Sequence, residues 1–150
     1  LKLVGSLFWR DLADVAASPR VTAAARVRAE ALLLDYMEDL RLGDRITLAK
    51  IATGPVLARL LEDADARVVE AGLINPRLRE EDLAGALRKN TVTRALIEGI
   101  SASSRWRDRY SLRLAIVLQP RSPLAVALAQ VTALLPRDLD RVAADLGEQG

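Results

Sequence analysis

Apolar residues recur along the chain at helical spacing, in segments divided by proline, glycine and small polar residues. Phe8, Leu12, Val15 and Ala16 follow i, i+4, i+7, i+8 and predict a helix over 7–17, capped by Ser6 and ended by Ser18-Pro19. A longer helix is predicted over 22–40, with Ala24, Val27, Ala31 and Leu34 in one row and Leu33, Met37 and Leu40 extending it. So wide an apolar face implies more than one neighbour. Leu42-Gly43 marks the next stop and Asp44 the next cap, before a third helix with Leu48, Ile51 and Ala52 on one side. Thr53-Gly54-Pro55 supplies a left-handed glycine followed by a proline suited to a helix start.

The second half of the chain continues in the same manner. Leu57, Leu60 and Leu61 define a helix over 55–62, and Asp65 caps one over 66–74 that presents Val68, Ala71 and Gly72 together. A glycine inside a helix costs about 1 kcal/mol relative to alanine, so Gly72 implies that another backbone approaches closely. Over 79–89, Glu80, Glu81 and Asp82 open a helix that Arg88 and Lys89 close, the order the helix dipole favours. Leu83, Ala86 and Leu87 face inward. Thr91 or Thr93 begins a helix with Val92, Leu96, Ile97 and Ile100. Ser103 or Ser104 caps one running to Leu118, with Trp106, Tyr110, Leu114, Val117 and Leu118 in a row. Ser122-Pro123, with proline at the first helical position, leads into Leu124, Leu128, Val131 and Leu135. A last helix, 136–146, carries Leu139, Val142, Ala143 and Leu146 and closes at Gly147.

One phrase occurs twice. Ala71-Gly72-Leu73-Ile74-Asn75-Pro76-Arg77 returns as Ala115-Ile116-Val117-Leu118-Gln119-Pro120-Arg121, displaced by 44 residues. Each copy is the end of an apolar helix, an amide residue, a proline break and an arginine. A Leu-x-x-Val/Leu pattern also recurs, at Leu12–Val15, Leu57–Leu60 and Leu139–Val142, with a looser copy at Leu96. The helices sort into three alternating types, which gives repeats over about 7–52, 53–90 and 91–135 and a terminal helix over 136–147. A period in the 40s is a signature of stacked helical repeats.

These features resemble the HEAT and armadillo class of repeat proteins. Asp63-Ala64-Asp65-Ala66-Arg67-Val68-Val69-Glu70-Ala71 is similar to the Asp-x-x-x-x-Val-Arg segment of HEAT-like units, with valine and arginine exchanged. Asn75-Pro76-Arg77-Leu78 is similar to the Asn-Pro turn of bacterial HEAT-like and leucine-rich-repeat-variant proteins. The resemblance implies an all-α, right-handed α-solenoid of about three three-helix repeats plus the terminal helix, in one domain over 1–150. It also implies a non-enzymatic protein-interaction or scaffold role. The variant family can carry an iron–sulfur cluster, but a chain without cysteine cannot hold one through thiolates.

Composition narrows the chemistry further. The 150 residues are 51% hydrophobic but only 3% aromatic, and the apolar mass is leucine, alanine, valine and isoleucine, which favours helix over sheet. There is no cysteine and no histidine. Disulfides, thiolate metal sites and Ser/His or Cys/His catalysis are therefore excluded. No glycine-rich phosphate loop is present. Twenty-two basic against 20 acidic side chains leave a net charge of +2, less than nucleic-acid binders usually carry. The longest apolar stretch, Leu124 to Leu135, is too short to span a bilayer. No signal peptide is visible, so the expected compartment is the cytoplasm. The chain opens on Leu1, as a segment of a longer protein would.

Arg105, Arg109 and Arg113 are spaced four apart, which on a single helix makes one row that reads either as a solvated face or as a binding stripe; Trp106 lies beside it, and its register with Tyr110 and Leu114 favours a core position over a contact. Arginine and tryptophan are enriched at interface hot spots. Arg67 and Glu70 occupy the corresponding helix one repeat earlier, and Arg26 and Arg28 the one before. The expected binding set is therefore Arg67, Glu70, Arg105, Trp106, Arg109 and Arg113, facing another protein with an acidic segment. No catalytic, cofactor-binding or metal-binding residue is expected. The alternative is a nucleic-acid-binding module resembling HEAT-like DNA glycosylases, to which Trp106, Asp108 and the nearby arginines invite comparison; the low net charge disfavours it. Asn75 and Gln119 are expected to bond neighbouring backbone at the turns.

Overall fold

The computed structural model describes the backbone of residues 2–149 and the side chains of residues 8–145 and 147. The chain is all-α, with no strand among the described residues. It forms two compact units, residues 1–78 and 79–150.

The first unit contains α1 (Lys2–Ala17), α2 (Ala23–Tyr36), a 3₁₀ turn (Met37–Asp39), α3 (Leu42–Ile51), α4 (Gly54–Leu60) and α5 (Ala66–Leu73). α1 packs on α2, and α3 packs on α5, with α4 between α2 and α5. Local chemistry sets the helix starts. The Thr22 hydroxyl accepts from the Ala25 N–H at 3.2 Å, and the Asp65 carboxylate accepts from the Arg67 N–H at 2.9 Å. Gly54 takes φ +52°, the left-handed conformation expected at Thr53-Gly54-Pro55. Arg45 fastens the start of α3 by donating to the Leu40 carbonyl at 2.8 Å and to Asp63 at 2.9 Å.

Several buried faces differ from those expected. α1 begins at Lys2, so Ser6 lies inside it rather than capping it. Its buried row is Trp9, Ala13 and Ala16, whereas Phe8 is 54% exposed. The register turns by one position because the larger indole removes more apolar surface from water. On α2, which ends at Tyr36 rather than Leu40, Ala24, Val27 and Ala31 face solvent and Leu34 is half-buried, while Ala29 and Leu33 enter the core, joined by Met37 of the 3₁₀ turn and Leu40 after it. The longer side chains prevail over a row made largely of alanine. α3 starts at Leu42, so Gly43 does not separate helices and Asp44 sits in the first turn rather than at the cap. Ile51 is exposed beside buried Leu48 and Ala52. Gly72 does mark a close approach, but of a side chain rather than a backbone: a Cβ there would lie 2.9 Å from Leu61 Cδ2.

The second unit contains α6 (Glu80–Arg88), α7 (Arg94–Ala102), α8 (Tyr110–Leu118), α9 (Leu124–Val131) and α10 (Pro136–Gln149). α8 is central and packs against α6, α9 and α10. The Asp82 carboxylate accepts from the Arg79 N–H at 3.0 Å at the start of α6, and Thr93 caps α7 by accepting from the Leu96 N–H at 3.2 Å. Leu83, Leu87, Val92, Leu96, Ile97 and Ile100 are buried as their spacing predicts.

The largest departure lies at 103–118. These residues do not form one helix. Residues 103–109 make successive turns, with the Trp106 N–H bonded to the Ser103 carbonyl and the Arg109 N–H to the Trp106 carbonyl, and α8 begins only at Tyr110. A continuous helix would have stacked like charges at 105, 109 and 113, which is unfavourable at this spacing. The turns instead let Trp106 enter the core at 3% exposure. In α8 the buried residues are Leu112 and Ile116, with Leu114, Val117 and Leu118 half-buried. Pro123 occupies the cap position of α9 rather than its first turn. Leu124, Leu128 and Leu135 are exposed, and Leu134 takes the buried place. α10 continues past Gly147 to Gln149. Its Val142 is buried and Leu139 half-buried, Ala143 is exposed, and the Leu146 side chain lies outside the described residues.

Candidate functional site

The last four carbonyls of a helix have no partner within it. Twice in this chain an amide side chain supplies one. Asn75, after α5, donates from Nδ2 to the Ala49 and Ala52 carbonyls at the end of α3, at 2.9 and 2.8 Å. Its Oδ1 accepts from the Arg77 N–H at 2.9 Å. Gln119, after α8, donates from Nε2 to the Leu87 and Lys89 carbonyls at the end of α6, and its Oε1 accepts from the Arg121 N–H at 3.2 Å. The expectation that both amides bond neighbouring backbone holds. Each latches the helix before it to the end of an earlier helix. Both are buried, which makes the latch strong where water cannot compete.

The residues singled out by sequence are distributed between the units. Arg67 and Glu70 are exposed on α5 of the first unit. The Arg67 guanidinium is bound by the neighbouring Asp65 at 2.9 Å, and those hydrogen bonds hold the Asp65 carboxyl below its ordinary value. Arg105, Trp106, Arg109 and Arg113 all belong to the second unit, but they do not form one row. Arg105 lies across the Trp106 ring, 4.3 Å from its centroid, so the indole is covered. Arg113 staples the turn, donating from Nε to the Arg107 carbonyl at 3.0 Å and from Nη2 to Asp108 at 2.7 Å. Arg109 stands 3.8 Å from Glu80. These contacts hold the 103–109 turns in place.

A different part of the second unit forms a groove of about 770 Å³. Its floor is the half-buried face of α8, from Leu114 and Ala115 to Leu118. One wall is the end of α6 with Arg88 and Lys89, and the far end is the Gln119-Pro120-Arg121 turn. Arg141 and Asp145 of α10 complete the lining. Among the described residues, four cations and one acid line the groove beside this apolar strip. Arg88, Arg121 and Arg141 are exposed and have no ion-pair partner among the described residues. A shallower depression beside Arg79 and Glu81 is internally compensated, since Arg79 pairs with Glu81 and Asp82.

Two polar ties join the elements that line the groove. Gln119 fixes the 87–89 wall to the end of α8. Tyr110 fixes α10: its hydroxyl donates to the Asp138 carboxylate and accepts from the Leu135 N–H at 3.0 Å. Partial burial and the hydrogen bond to Asp138 raise the Tyr110 pKa above its ordinary value. The neutral phenol is the form that binds. Its contribution is therefore full below the ordinary tyrosine pKa of about 10 and is lost as pH rises through the elevated folded value. Hydrogen exchange in α10 is expected to accelerate in that alkaline range beyond its intrinsic rate, and Tyr110→Phe is expected to remove this extra pH dependence.

The sequence contained only fragments of the groove. Arg88 and Lys89 are explained by the helix dipole, Arg121 by a turn, and Arg141 lies twenty residues further on. Among the described residues no group of acidic side chains is arranged to hold a metal ion, and no helix is long and apolar enough to cross a membrane. Comparison with protein-family models, curated proteins and solved structures finds no match.

Proposed function

We propose that this chain is a helical-repeat module of HEAT/armadillo-like type that binds another protein and performs no chemistry itself. The observation that carries the functional reading is the groove along α8, an apolar strip inside a cationic rim on a frame of packed helices. The α-solenoid part of the reading is supported by the recurring latch. α5 packs on α3 and is followed by Asn75, and α8 packs on α6 and is followed by Gln119, with the same pattern of amide bonds. The nucleic-acid alternative has less support, because Trp106 is buried under Arg105 and offers no face for a base to stack on.

Selection of random peptides on the immobilised chain tests the proposal. Peptides enriched on the wild type are expected to be lost on Ala115→Trp, which fills the groove, provided that a thermal melt shows the variant folded. Enrichment that survives a folded Ala115→Trp variant, or no enrichment at all, counts against it.

A further inference from the structure

We infer that the groove takes an acidic amphipathic helix, with its apolar ridge on α8 and its carboxylates against Arg88, Arg121 and Arg141. This rests on the protein-binding reading and adds the chemistry of the partner. α8 contributes Leu114, Ala115 and Leu118 to the groove, an apolar strip at helical spacing. Such a strip fits apolar side chains presented at i, i+3 and i+4 by a second helix. At about 770 Å³ the groove lies within the range of about 300–1,000 Å³ typical of ligand sites. It is large enough for anchoring side chains but not for a folded domain.

Charge complementarity selects the sign of the partner. Arg88 comes from the end of α6, Arg121 from the turn after α8 and Arg141 from α10, so three separate elements bring cations to the strip. A helix with an apolar ridge bordered by glutamate or aspartate would bring its carboxylates to these guanidinium groups. Arginine can bind such carboxylates through two parallel hydrogen bonds. Asp145, one turn beyond Arg141, is the one acid among the described lining residues and weakens the field locally. No aromatic residue lines the groove, whereas single-stranded nucleic acid is held largely by stacking on aromatic rings.

The test uses the full chain and three labelled probes followed by fluorescence anisotropy. The first is a peptide of about four helical turns with leucine at every third and fourth position and glutamate elsewhere. The second replaces each glutamate with lysine, and the third is an oligothymidylate of similar charge. The acidic peptide is expected to bind, with affinity falling as salt rises. Arg121→Glu with Arg141→Glu is expected to weaken it by about tenfold or more and to let the lysine peptide bind instead. Asp145→Lys is expected to tighten the acidic peptide. Because these substitutions are at exposed or partly exposed rim positions, circular dichroism is expected to be unchanged. If the lysine peptide binds the wild type as well as the acidic one, or if the oligonucleotide alone binds and is lost on charge reversal, the inference is overturned. If random peptides are enriched through the groove but the acidic helix does not bind, this inference fails and the protein-binding reading stands. If nothing binds in either experiment, both fail.

Discussion

Replacing Asn75 by alanine is expected to lower the unfolding free energy of the first unit by about 3 kcal/mol. The side chain is 1% exposed and satisfies two carbonyls at the end of α3 together with the Arg77 N–H. Alanine leaves those groups buried with no side chain to meet them. The loss of contact volume is small by comparison, so the penalty is mainly desolvation. Asn75→Asp provides a control of nearly equal size. It keeps the acceptor for Arg77 but turns a carboxylate oxygen toward two carbonyl oxygens, and is expected to be at least as damaging. Urea unfolding followed by fluorescence can report each unit, because Trp9 lies in one and Trp106 in the other. Retaining Trp9 with Trp106→Phe isolates the first. A midpoint unchanged by Asn75→Ala would contradict the latch.

Trp106→Ala is expected to cost the second unit about 3–5 kcal/mol, the range for deleting a buried aromatic side chain. A tryptophan that served mainly as an exposed partner contact would cost about 0.5 kcal/mol or less. The two roles therefore differ by several-fold in a single measurement. Tryptophan at 3% exposure under the Arg105 guanidinium belongs to the first kind. Chemical denaturation followed by far-ultraviolet circular dichroism checks this, with Arg105→Ala as the companion. Losing the covering cation alone is expected to have a much smaller effect, because the indole remains packed from below.

The helices themselves were legible because helical spacing and punctuation agree. Asp65 and Thr93 cap where local chemistry requires, and Leu57, Leu83, Leu96 and Ile97 are buried as their spacing predicts. The faces were less legible where two apolar rows compete on one helix. α2 offers an alanine-rich row and a leucine–methionine row, and only tertiary packing decides between them. The 103–118 segment was misread for a related reason. Its residues have adequate helix propensity, but a buried tryptophan and four arginines within nine positions favour turns that separate them. That break dissolved the arginine row on which the expected site depended. The groove was not legible at all. It is built from the ends of two helices and the side of a third, and each of its cations has a sufficient local explanation in sequence. In the repeated Gln119-Pro120-Arg121 phrase the arginine lines the groove while the glutamine bonds the end of α6.

Isotope-labelled full chain titrated with the acidic amphipathic peptide tests the central claim most directly, through amide chemical-shift changes. The largest changes are expected along the groove, at Arg88, Leu114, Leu118, Arg121 and Arg141, with Arg105 to Arg109 little affected. Changes centred on Arg105 to Arg109, or scattered over both units without a focus on α8, would rule out a helix bound in the groove.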